Sequence, residues 1–208
     1  MVNAPAMIGS IGRRLRVVLH QPGESSSLAT PETGDSPEIE LVAYAEDCRL
    51  SGRLRLDSDR LSDMLNEHDE FLLEGVLAER LPEGGTLLVP ELLVRRDELL
   101  LVLASGPRGD RTRRTRTLSH ALALQSGPYL VSGNVHAAAG IDPLIFLRRR
   151  RPMVPLTDAT IEYRAAAGPL REYAGTLVVN RDLVDWVRDA DADAAPISAP
   201  DRLGRPTH

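Results

Sequence analysis

The chain is short of three residue types, and each shortage argues against a class of function. Its 208 residues include no lysine, which excludes a phosphate-binding P-loop because that loop requires one. Cys48 is the single cysteine, so no intrachain disulfide can form and no oxidising compartment is needed. Few residues are aromatic, which counts against a nucleic-acid reader built on base stacking. No apolar run approaches the roughly 18 residues of a membrane span, and we expect a cytoplasmic protein without membrane contact.

Residue patterns for catalysis or for cofactor binding are also missing. No histidine lies in a metal-binding spacing, and the Gly-x-Gly-x-x-Gly and Gly-x-Ser-x-Gly motifs are absent. Cys48 lies in a strand-like run far from any histidine, so a buried structural thiol is favoured over a nucleophile. The acidic residues between Asp57 and Glu70 fit a solvated surface better than a Ca²⁺ site, because the EF-loop spacing is missing. The sequence therefore predicts a protein without a catalytic site, cofactor or metal.

Composition divides the chain into five segments. Residues 1–37 and 189–208 are rich in Ser, Pro, Gly, Asp or Ala, and we expect them to be mostly disordered. Residues 106–117 form an Arg-rich linker. The cores are then a first module at 38–105 and a second module at 118–188.

The two modules share two stretches of pattern in the same order. Residues 92–102 and 177–187 match as an apolar strand, an Arg-Asp pair and a second apolar strand. Residues 48–54 and 129–135 match around a central Ser-Gly pair, at a slightly different offset that loop insertions would produce. Both matches together predict an internal duplication.

Within each module the pattern favours strands. Apolar residues alternate with polar or small ones in residues 39–44 and 50–56, and further strands are expected at 71–77, 86–94 and 99–103. Residues 58–66 could form a short helix capped by Ser58, or a loop. His120 and His136 are expected to be ordinary strand residues. About five short strands in about 65 residues predict a mainly β fold of two tandem small barrels.

Each module resembles an Sm-like (LSm-type) small barrel. Leu50-Ser51-Gly52-Arg53-Leu54 is similar to the Gly-centred strand of the first Sm motif, with Asp59, Asp63 and Asn66 near the bend that follows. Leu93-Val94-Arg95-Arg96-Asp97 and Val178-Val179-Asn180-Arg181-Asp182 are similar in shape to the second motif. The resemblance implies a small barrel that associates through its edge strands. The family's Arg-Gly pair is absent from both modules, so its pocket for an RNA base is not implied.

Charge is distributed unevenly along the chain. The first module contains 16 acidic residues and 7 arginines, a net charge of −9, whereas the second module has a net charge of +2. Two basic runs stand out: Arg111, Arg113, Arg114 and Arg116 in the linker, and Arg148, Arg149, Arg150 and Arg151 in the second module. Such clusters bind phosphates in nucleic-acid-binding proteins. The net negative charge of the chain and its few aromatic residues favour the other interpretation, in which these arginines face the acidic module, within the chain or across a subunit contact.

These features support two hypotheses. The favoured one is a non-catalytic interaction or scaffold protein of paired Sm-like barrels, which forms a homo-oligomer or binds a protein partner. The alternative is an RNA- or DNA-binding regulator that uses the two arginine runs.

Overall fold

The computed structural model describes residues 36–81, 83–104 and 116–190. Most of the predicted disordered ends and most of the predicted linker lie outside these residues, but Asp189, which was assigned to the disordered tail, ends the last strand of the fold. The described residues before and after the gap at 105–115 are called the first half and the second half below.

The two halves follow the same order of elements. The first half contains β1 (Glu38–Tyr44), β2 (Cys48–Arg55), α1 (Leu61–Glu67), β3 (Glu70–Arg80), β4 (Thr86–Arg95), a 3₁₀ turn (Arg96–Glu98) and β5 (Leu101–Ala104). The second half contains β6 (Leu118–Ser126), β7 (Tyr129–Ala137), α2 (Pro143–Arg149), β8 (Met153–Ala165), β9 (Gly168–Asn180), a 3₁₀ turn (Arg181–Leu183) and β10 (Trp186–Asp189). The mainly β class predicted from the sequence is confirmed.

All ten strands belong to one antiparallel sheet, in the order β10-β6-β7-β8-β9-β5-β1-β2-β3-β4. In each half the last strand pairs with the first, and the strands between them form a meander. The sequence predicted two separate barrels, whereas the observed pairing is continuous because β5 joins β9. Val102 and Val178 face one core from this junction and Leu101 and Val179 face the other, so pairing the strands buries apolar side chains on both sides.

Two apolar cores lie within the sheet, and each draws residues from both halves. The first half supplies most of one core, to which the second half adds Met153 and Val178. The other core belongs mainly to the second half, with Tyr44, Leu81, Leu100 and Leu101 from the first. The cores therefore depend on the contact between the halves.

The two halves also share one irregularity in the third strand of each meander. The register between β2 and β3 shifts after Ser51, and the register between β7 and β8 shifts after Ser132. Gly75 and Asp158 occupy these bulges with φ values of 58° and 49°. A bulge at the same place bends both strands in the same way.

The helices were less well predicted than the strands. Residues 61–67 do form a helix, but Arg60 occupies its N-cap without a side-chain bond, whereas Ser58 bonds to Glu67 instead. The sequence interpretation did not include α2, although Asp142 and Pro143 are N-cap and N1 signals.

Candidate functional site

The arginine run 148–151 lies at the end of α2 and in the loop that leads to β8. All four side chains are exposed. Of the linker arginines, Arg116 is described and exposed, whereas Arg111, Arg113 and Arg114 lie outside the described residues. The structure therefore presents one basic run as an accessible surface and leaves the other as a prediction.

Local contacts fix the position of this run. The Asp142 carboxylate accepts hydrogen bonds from the Leu144 and Ile145 amides, at 2.8 and 3.2 Å, and so caps the start of α2. The Arg150 guanidinium lies over the Phe146 ring, 4.4 Å from its centroid. The run is thus presented by a capped, packed helix.

A concavity of about 350 Å³ adjoins the first arginine of the run. Arg148, Arg181, Asp185 and Trp186 line it, together with the apolar residues Leu147, Val184 and Val187. Arg181 Nη1 donates to the Arg148 carbonyl at 2.7 Å, and the Trp186 indole N–H donates to the Gln125 side chain at 2.8 Å. Two guanidinium groups beside an exposed indole can bind an anionic or planar ligand.

The sequence interpretation missed Arg181 and Trp186 as members of this concavity. Both lie in residues 177–187, which were interpreted as two apolar strands joined by an Arg-Asp pair. Arg181 Nε is buried and has no hydrogen-bond partner among the described residues. One feature of the sequence pointed to this region, because Arg181 precedes the strand that contains the chain's single tryptophan. The proximity of Arg181 to Arg148, however, depends on the fold.

The sheet has two open edges, at β4 and β10. Each of these strands has one hydrogen-bonded neighbour among the described strands, whereas the other eight strands have two. Leu88 and Leu93 on β4 are exposed, at 72% and 36%, and they pair with exposed Leu77 and Leu72 of β3. Open strand edges with apolar side chains are surfaces to which another chain can bind.

A tyrosine cluster joins the halves beside the β5–β9 ladder. Tyr44 of the first half packs against Tyr129 and Tyr163 of the second, with ring centroids 5.4 and 5.7 Å apart. The Tyr44 and Tyr163 hydroxyls donate to the Glu172 carboxylate, at 2.7 Å for Tyr44, and the Tyr129 hydroxyl donates to the Ala45 carbonyl at 2.6 Å. Burial, followed by the bond to Glu172, raises the pKa of Tyr44 and Tyr163 well above the usual range, so both hydroxyls remain donors at neutral pH.

The candidate reactive side chains have structural contacts. Cys48 is buried, as predicted, and burial, followed by the nearby Asp47 carboxylate, raises the pKa of its thiol to about 12. The His68 ring lies 2.9 Å from Asp57, and the His136 ring bonds to Thr157 at 2.8 Å. His120 and His136 lie in β6 and β7, so the prediction that they are strand residues is confirmed. At neutral pH the Cys48 thiol is protonated, which disfavours it as a nucleophile.

Two features are absent from the described residues. No three histidine, cysteine or carboxylate side chains in this part of the chain lie close enough to hold a metal ion. None of its helices has the length and apolar character to cross a membrane.

Comparison of the chain with known proteins gives no assignment. No family model, no curated protein and no solved structure matches it. The Sm-like resemblance therefore stays a prediction from the residues that suggested it.

Proposed function

We propose that the chain is a non-catalytic interaction or scaffold protein, built from two tandem Sm-like small barrels, that self-associates through its sheet edges. The observation that carries this proposal is the pair of open edges, β4 and β10, at the two ends of a sheet whose other strands are paired on both sides. The backbone N–H and C=O groups of an open edge strand can pair with another chain unless the edge is protected.

The connection between β4 and β5 supports the barrel interpretation. Arg95 ends β4 beside Glu70, whereas Leu100 already bonds to Tyr44 at the far end of β1. On a flat sheet, Arg95 and Tyr44 would be separated by three strand spacings in one direction and by the length of β1 in the other. That distance is about 24 Å or more. The five residues from Arg95 to Leu100, which include a 3₁₀ turn, reach only about 13 Å. The first half must therefore curl strongly.

The second half has a comparable connection. Asn180 ends β9 beside Met153, and Asp185 already bonds to Gln125 near the far end of β6. The five residues from Asn180 to Asp185 therefore also connect opposite ends of a four-stranded meander. Such a short segment can do so only if the second half curls as strongly as the first. Two strongly curled five-stranded units support the prediction of paired small barrels.

Light scattering of the purified full chain over a range of concentrations tests self-association. We expect a mass above that of one chain, increasing with concentration. A monomer at every concentration that also retains no partner in a pull-down would contradict the proposal.

The alternative, RNA or DNA binding, is supported by the concavity that Arg148, Arg181 and Trp186 line. Arginine side chains contact phosphates, and an indole can stack on a base. Fluorescence anisotropy with a labelled mixed-sequence RNA, at low and physiological salt, tests this function. Micromolar binding that is lost when Arg148 to Arg151 are replaced by Ser would support it, and no binding at low salt would contradict it.

A further inference from the structure

The two halves of the chain are joined edge to edge, through β5 of the first half and β9 of the second. β5 pairs antiparallel with β9 in the register Leu101–Val179, Val102–Val178 and Leu103–Leu177. It is the ladder that joins the halves in the described part of the chain. Within this ladder, Val178 is 1% exposed because it inserts into the core of the first half.

A second contact secures the same junction. The Asn66 amide of α1 donates to the Met153 carbonyl at 2.8 Å, and the Met153 amide donates to Asn66 Oδ1 at 3.0 Å. Asn66 thus pairs with the backbone of the first residue of β8. The junction therefore includes a strand ladder and a helix-end contact, in addition to the tyrosine cluster and the bonds of the Asn180 amide to the Arg96 and Leu99 carbonyls.

The strands of the ladder and the elements of the helix-end contact have counterparts at the open edges. By element order β10 corresponds to β5, β4 to β9, α2 to α1 and β3 to β8. The register supports this correspondence, because Trp186 pairs with Gln125 on β6 as Leu101 pairs with Tyr44 on β1. On β4, Val94 lies next to the strand end as Val179 does on β9.

We propose that the partner is a second copy of this chain, whose β4 pairs antiparallel with β10 of the first in the register Trp186–Val94, Val187–Leu93 and Arg188–Leu92. The inference rests on the proposed self-association and specifies its surfaces. Leu93, exposed in the single chain, corresponds to the buried Val178 and becomes buried by the next copy. Association of this kind is head-to-tail, because each copy uses two different edges.

The correspondence also places opposite charges together. Arg148 occupies the position in α2 that Asn66 occupies in α1, and Glu70 begins β3 as Met153 begins β8. Both Arg148 and Glu70 are exposed. The contact between Asn66 and the backbone of Met153 is thus replaced, between copies, by an ion pair of Arg148 with Glu70 of the next copy. The unequal net charges of the two modules, −9 and +2, favour this orientation.

A pair of substitutions on one strand tests the ladder. Leu93→Asp places a charge at the center of the proposed register, and we expect the full chain to become monomeric in sedimentation or light scattering at concentrations where the wild type associates. Leu88→Asp is the matched control. Leu88 corresponds to Tyr173, which stays 71% exposed beside the internal junction, so this variant should associate as the wild type does.

Charge reversal tests the ion pair with two surface residues. Arg148→Glu and Glu70→Arg should each weaken self-association by about tenfold or more. An equimolar mixture of the two variants offers one reversed pair and one wild-type pair at alternating contacts, so it should associate within about twofold of the wild type. Circular dichroism of each variant establishes that it is folded.

The outcomes separate this inference from the proposed function. Association that persists in Leu93→Asp, or a mixture that stays as weak as the single variants, overturns the β4–β10 register and leaves self-association standing. A wild-type chain that is monomeric and without a partner overturns both.

Discussion

At the residue scale, the contacts that matter most join positions far apart in the chain. Alternation of apolar and polar residues correctly predicted β1 and β2, and the isolation of Cys48 predicted that it is buried. The tyrosine cluster could not be predicted, because Tyr44 and Glu172 are separated by 128 positions and nothing local to either residue indicates the other. For the same reason the sequence indicated the arginine run but not its neighbours Arg181 and Trp186.

The bond from Tyr44 to Glu172 yields the first residue-level prediction. Tyr44→Phe removes a partly buried donor to a carboxylate, so we expect the free energy of unfolding to fall by about 1–2 kcal/mol. Urea denaturation measures it. Tyr173→Phe is the control, since its hydroxyl bonds to Asp158 on an exposed surface, and the same stability as the wild type is expected. Equal stability of Tyr44→Phe and the wild type would show that the bond contributes nothing.

The raised pKa of Cys48 gives a prediction for alkaline pH. Its thiol has a pKa near 9 ordinarily and about 12 in the fold, so the unfolded chain loses this proton first as the pH rises. The contribution of this thiol to stability is therefore fully present below pH 9. It is lost between pH 9 and 12, by at most about 1.4 kcal/mol per pH unit. The raised pKa values of Tyr44 and Tyr163 steepen the loss above pH 10. Cys48→Ala should lose stability less steeply than the wild type in chemical denaturation across this range, and equal slopes would contradict the assignment.

At the scale of elements, the two halves agree in their backbone more closely than in their side chains. The glycines of the repeated Ser-Gly pairs, Gly52 and Gly133, each face the bulge of the next strand. A Cβ at Gly52 would lie 3.2 Å from Val76, and a Cβ at Gly133 would lie 3.0 Å from Ala159. This close approach explains why both positions are glycine. The second helix was not predicted, because its short apolar run, Leu144 to Leu147, does not by itself distinguish a helix from a strand.

Replacement of Gly133 tests this close approach. Gly133→Ala places a methyl group against the Ala159 backbone at 3.2 Å and the Leu156 side chain at 3.3 Å. Because the neighbours are backbone or short side chains, we expect a loss of about 1–3 kcal/mol in thermal or urea unfolding. Gly85→Ala is the control, because nothing lies within 4 Å of its added Cβ. A stable Gly133→Ala variant would show that the strands can separate at little cost.

At the scale of the whole molecule, the sequence predicted the class and the repetition of pattern but not the continuous sheet. Local alternation identifies a strand without identifying its neighbour, so the pairing of β5 with β9 was not accessible. The charge difference between the modules was accessible, and it gives the expected orientation of two copies. The module boundaries at 38–105 and 118–188 stay a prediction.

Salt dependence tests that orientation on intact chains. If Arg148 pairs with Glu70 of the next copy, raising the salt from about 0.05 to 0.5 M should weaken self-association by about two- to fivefold through screening of this exposed pair. Sedimentation equilibrium at several concentrations measures the change. Glu70→Gln should associate more weakly at low salt and respond less to added salt. A salt response unchanged by this substitution would assign the effect to other charges.

The covalent link between the halves makes the two kinds of junction respond differently to the amount of protein. β5 and β9 belong to one chain, so their encounter has a fixed effective concentration that dilution does not change. The β4 and β10 edges meet only when two chains collide, so their occupancy follows abundance. A cell could thus assemble or disperse the proposed oligomer by changing the amount of the chain, while the fold of each copy stays intact.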